Sequence, residues 1–117
     1  MSPLPSQIRE LNDRLRKNFA CRPTAVAGPF KVVITQGVGL LGEQAFAELI
    51  AKVECFDAFD ENNDPHAEHD FGMIDHHGTR YFWKIDYYDL SMMSGSPAPS
   101  DPAVTCRLLT IMRAEEY

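Results

Sequence analysis

The stretch DFGMIDHHGTRYFWKIDYYD, residues 70–89, decides the fold. Two runs rich in aromatic and β-branched residues flank His76, His77 and Gly78, a spacing and composition that suit a hairpin turn. Strands are therefore expected over 70–75 and 79–89. In the second of them Tyr81, Trp83, Ile85 and Tyr87 share one face, while Arg80, Lys84 and Asp86 share the other with Phe82 as the exception. The first set should face the core, and Phe71 is predicted to join Trp83 there.

Upstream of the hairpin lies an acidic segment. From Val53 to Thr79 there are eight carboxylates (Glu54, Asp57, Asp60, Glu61, Asp64, Glu68, Asp70, Asp75) and no lysine or arginine. That segment carries −8 with neutral histidines, against −6 for the whole chain, so the remainder carries +2. Within it FDENNDPHAEHD is turn-rich, and Pro65 excludes a regular helix through it.

Further outward, Ile8, Leu11, Leu15 and Phe19 give one face of an amphipathic helix over 6–19, with Ser6 as N-cap. Glu10 with Arg14 and Asp13 with Lys17 are acid-first pairs four residues apart on its outer face. Pro23, Gly28 and Pro29 break the periodicity, and FKVVITQ reads as a strand over 30–36. Phe46, Leu49, Ile50 and Val53 then stripe a helix over 42–55. After the hairpin, LSMMSGSPAPSDP is a long link of the kind that is functional or mobile. Asp101 and Pro102 read as N-cap and first residue of a last helix over 102–115, striped by Val104, Leu108, Ile111 and Met112.

These elements make an α+β fold, a small mainly antiparallel sheet of about three strands with helices packed on one face. At 117 residues the chain fits a single domain over 1–117, with an N-terminal helix and linker at 5–29 and the sheet, acidic loop and C-terminal helix at 30–117. An apolar fraction of 44% excludes a largely disordered chain. Three cysteines without metal or redox spacing, and the apolar-poor MSPLPSQIREL, favour the reduced cytoplasm. No apolar run is long enough to span a membrane. The negative balance argues against direct binding of nucleic acid and for a basic protein surface as partner. The oligomeric state is not legible.

Each motif has a plain reading beside its chemical one. Gly37, Gly39 and Gly42 spell G-x-G-x-x-G between strand and helix, but no second parallel strand follows to carry a ribose-binding acid, so a plain turn is expected. Asp60, Asn62 and Asp64 resemble the opening of a calcium loop, yet Pro65 stands where the sharp turn needs glycine. His66, Glu68, His69 and Asp70, with His76 and His77 at the hairpin, offer nitrogen and oxygen ligands for a divalent metal; the plain reading is that His69 and Asp70 make structural hydrogen bonds while His76 and His77 face solvent in the turn, and no cofactor is expected. No catalytic set is evident.

The blocks NDPHAEHDFG, FWKIDYYD and GSPAPSDPAVTCRLLTIM, with ITQGVGLLG, resemble a family of small bacterial proteins classed as a domain of unknown function and common on chromosomes and mobile elements. The resemblance covers about residues 7–117; its EHDFG, FWKIDYYD and DPAVT-x-R-x-LTIM blocks are specific, and it brings no activity or catalytic residue. The functional expectation is a non-enzymatic module that binds a basic partner through Asp57, Asp60, Glu61, Asp64 and Glu68, as an acidic inhibitor or nucleic-acid mimic. The alternative is a metal-dependent hydrolase using the acids and histidines of residues 57–77.

Overall fold

A computed structural model describes residues 4–117; the first three residues of MSPLPSQIREL lie outside them. The elements are α1 (Leu4–Asn18), β1 (Phe30–Ile34), a one-turn α2 (Gln36–Gly39), α3 (Glu43–Glu54), β2 (Phe71–His76), β3 (Thr79–Tyr88) and β4 (Cys106–Arg113), with short 3₁₀ turns at Pro23–Ala25 and Ala114–Glu116. The sheet runs β1-β4-β3-β2; β2, β3 and β4 are antiparallel neighbours, and β1 lies parallel to β4. The chain is thus a small α+β fold with helices against a mostly antiparallel sheet.

The hairpin forms as its residues dictate. His76 pairs with Thr79, and the two residues between them, His77 (φ +51°) and Gly78 (φ +78°), both take the left-handed conformation that twists a two-residue turn into register. Tyr81, Trp83 and Ile85 are buried against α1 and α3, together with Leu15, Leu49, Val53, Leu109 and Ile111. Phe71 departs from expectation. It lies on the opposite, helix-free face of the sheet, its ring 5.1 Å from Phe82 and 6.2 Å from Tyr117.

The expected helix over 102–115 is instead β4. Asp101 does act as a cap, its Oδ1 accepting from the Ala103 amide at 2.9 Å, but it closes a single turn rather than a helix. The run AVTCRLLTIM carries β-branched Val104, Thr105, Thr110 and Ile111, and its apolar residues fit either period, an ambiguity inherent in short apolar runs. Tertiary pairing resolves it, since β4 fills the gap between β1 and β3 and so satisfies the main-chain groups that each of them turns toward it. The link before it is tied down. Ser96 and Tyr87 share a main-chain bond, Thr105 Oγ1 donates to Ala98 O at 2.9 Å, and Arg107 donates to Pro99 O at 2.6 Å.

Helix α1 turns further inward than its apolar stripe implies. Among its described side chains the buried ones are Ile8, Asn12, Leu15 and Arg16, with Leu11 only half-buried. Arg16 donates to the carbonyls of Val53 and Glu54 at 3.1 and 3.2 Å, capping the last turn of α3, and stands over the Trp83 ring at 5.2 Å. The expected outer-face pairs do not form: Asp13 bonds Arg16 (3.2 Å) and His69 (2.8 Å), and Arg14 donates to Ala25 O.

Candidate metal centre

Strand alternation puts Gly72, Ile74 and His76 of β2 on the helix-facing side, so the His76 ring is 2% exposed and lies against α3. Its Nε2 is 3.0 Å from the Ala45 carbonyl oxygen. A carbonyl can only accept, so Nε2 donates, and Nδ1 is the ring nitrogen left to take another partner. That Nδ1 is buried and has no hydrogen-bond partner among the described residues. An imidazole whose second nitrogen is anchored on a backbone carbonyl is the arrangement that fixes tautomer and orientation in metal-ligating histidines.

The next residue and the next helical turn supply two more donors. His77, in the left-handed turn position, brings its ring 4.2 Å from that of His76 and its Nε2 3.2 Å from Glu48 Oε1. Glu48 follows Ala45 by one turn of α3. Among the described residues, Glu48, His76 and His77 are the one set of three His, Cys, Asp or Glu side chains whose donor atoms all lie within 4.8 Å of one another. Two imidazoles and a carboxylate suit a borderline divalent ion such as zinc and leave a coordination position open to water.

The residues that the sequence nominated are dispersed, because this loop spends its side chains on its own backbone and on α1. Asp60 Oδ1 accepts from the amides of Asn62 and Asn63 (2.8 and 3.0 Å), and Asp64 Oδ1 from those of Glu68 and His69 (both 3.1 Å). These are turns closed by short acids, and they replace a calcium loop. His69 (φ +54°) bonds Asp13, faces Asp64 Oδ2 at 3.5 Å and stacks on Phe59 with centroids 3.7 Å apart. His66 is exposed, Glu68 accepts from the Tyr87 hydroxyl at 2.8 Å, and Asp70 is half-buried. His66, Glu68, His69 and Asp70 therefore do not converge as one ligand set. Asp57, Asp60 and Glu61 are exposed on the loop, whereas Asp64 is buried.

Glu68 belongs to a buried network that has no sequence signature. Asn12 Nδ2 donates to Tyr87 Oη (2.7 Å) and to Glu68 O (2.9 Å), while Arg107 Nε donates to Asn12 Oδ1 at 2.8 Å. Burial raises the pKa of Tyr87 and lowers that of Arg107; Asp70 nearby is raised by burial and by the charges of Glu68 and Asp64. At the glycine-rich turn, the Gly37 amide and Thr35 Oγ1 both donate to the Glu116 carboxylate, at 2.9 and 2.6 Å. The chain's own anion thus takes the amide that a phosphate would use.

Residues 34–116 match the model of a protein family of unknown function, DUF3768. The chain belongs to this family. The match spans β1's last residue through the C-terminal turn and so contains Glu48, His76, His77 and the whole hairpin of this DUF3768 member. No curated protein matches the chain, and no solved structure matches it. Among the described residues no helix is long and apolar enough to cross a membrane.

Proposed function

We propose that this DUF3768 protein binds one divalent transition-metal ion of the zinc class through Glu48, His76 and His77. The observation that carries the reading is the buried His76 ring, anchored at Nε2 and left with an unpartnered Nδ1. A buried polar atom without a partner costs about 1–3 kcal/mol, a cost that a metal bond removes. Bound zinc would supply, at the position that three protein ligands leave free, a water of pKa about 7, which is the chemistry a hydrolytic activity would use. Zinc titration against a chromogenic chelator tests it. One ion per chain with Kd of about 1 µM or tighter is expected. Glu48→Gln and His77→Ala, both on exposed side chains, should each weaken binding roughly tenfold or more. Zinc binding that neither substitution changes, or none at about 100 µM, refutes the reading.

A second reading keeps the exposed acids Asp57, Asp60 and Glu61 as a docking surface for a basic protein in the bacterial cytoplasm. It requires binding that weakens with salt, because exposed charges are screened over about 8–10 Å. Asp57→Lys with Glu61→Lys should abolish capture of such a partner while leaving zinc binding unchanged.

A further inference from the structure

The two edges of the sheet differ. Edge β2 follows the acidic loop, whereas edge β1, FKVVI, has no acid and one cation. The Thr35 amide donates to Ile111 O, and the Arg107 amide to Pro29 O, so Pro29 and Thr35 turn their peptide groups toward β4. By strand alternation Lys31 and Val33 do the same, and Phe30, Val32 and Ile34 turn theirs outward, where no neighbouring strand receives them. Around this open edge Val33 is 45% and Leu40 77% exposed, and a groove of about 580 Å³ lined by Ile34, Gly39, Leu41, Phe46 and the one acid Glu43 runs beside it. A β-branched edge of this kind is a template for another strand.

We infer that the strand it receives is β1 of a second copy, antiparallel, joining the two sheets into one. The charges select this occupant. Lys31 is exposed and makes no ion pair among the described residues. At the other end of the strand, Glu116 is held beside Thr35, on the face that Lys31, Val33 and Thr35 share. With Val33 opposite Val33 of the second copy, Lys31 lies across from Thr35 and its attendant Glu116, twice over by symmetry. The same register sets Val32 against Ile34, residues whose outward peptide groups can exchange both main-chain bonds. Parallel addition would instead put the two lysines side by side. At a strand spacing of about 4.8 Å the two β2 edges lie about 34 Å apart, so the acidic segments that lead into them repel little through a screening length of about 8 Å.

Sedimentation of the full chain, in chelator to exclude metal bridging, tests the inference. At about 100 µM the mass should be that of a dimer of the 13.2 kDa chain. Lys31→Glu and Val33→Lys should each raise the dissociation constant roughly tenfold or more, with Trp83 fluorescence unchanged as the check on folding. Amides of Val32 and Ile34 should exchange at least about tenfold more slowly in the wild type than in Lys31→Glu, because only the second copy protects them. A monomer at that concentration overturns the inference. So does a dimer in which those two amides exchange fast, or one that dissociates on Phe82→Lys and not on Lys31→Glu, which would move the contact to the open sheet face.

Discussion

Replacing Gly72 by alanine tests the packing at the centre of the fold. Gly72 lies opposite Trp83 in the β2–β3 ladder, and the indole folds across the place where a side chain would begin. A Cβ there would fall 2.3 Å from Trp83 Nε1, 2.6 Å from its Cε2 and 2.9 Å from Phe56 Cε1, against an optimum near 3.5–4.0 Å. The indole has little room to yield. It is fully buried, edge-on to Phe56 and Phe59 at 5.5 and 6.1 Å, with the Arg16 guanidinium at 5.2 Å. Overpacking costs about 1–3 kcal/mol where neighbours can shift, and the loss of backbone freedom in the unfolded chain returns at most about 0.4–1 kcal/mol. We expect Gly72→Ala to destabilise the protein by about 2–3 kcal/mol, lowering Tm by roughly 6–12 °C for a domain of this size. Urea unfolding followed by the fluorescence of Trp83, the single tryptophan, measures it directly. A midpoint within about 0.5 kcal/mol of wild type at unchanged slope would refute the packing argument.

Removing the amide of Asn12 strips Arg107 of an acceptor and Tyr87 of a donor inside the core, so Asn12→Ala should cost about 3 kcal/mol, and a loss below about 1 would mean that water replaces the side chain. Asp70 offers a pH test, because burial with the charges of Glu68 and Asp64 raises its pKa above the ordinary 3.8. The folded chain then holds that proton more tightly than the unfolded one, so its contribution to stability falls as pH rises from 3.8 through the raised value and stays low above it. Asp70→Asn should accordingly raise the urea midpoint at neutral pH and leave it unchanged well below 3.8; an equal effect at both would point to packing rather than charge.

The hairpin, its turn, the core face of β3 and the stripe of α3 are all legible along the chain, because each rests on local period and local turn chemistry. Tyr81, Trp83 and Ile85 alternate, Gly78 permits the left-handed turn, and Leu49 and Val53 recur at helical spacing. The candidate metal set is only partly legible: His76 and His77 offer donors along the chain but read equally as solvent-facing turn residues, Glu48 arrives from another element, and the residues His66, Glu68, His69 and Asp70 that the sequence nominates include side chains that bond Tyr87 and Asp13 instead. The inward placement of Asp64 and Glu68 follows from bonds to the loop's own amides and to Tyr87, partners that meet only once α1 and the sheet close over them. The last strand shows most plainly where local reading ends. Residues 104–112 suit a helix or a strand, and the choice falls to main-chain groups of β1 and β3 far away in sequence, which have no partner until β4 lies between them.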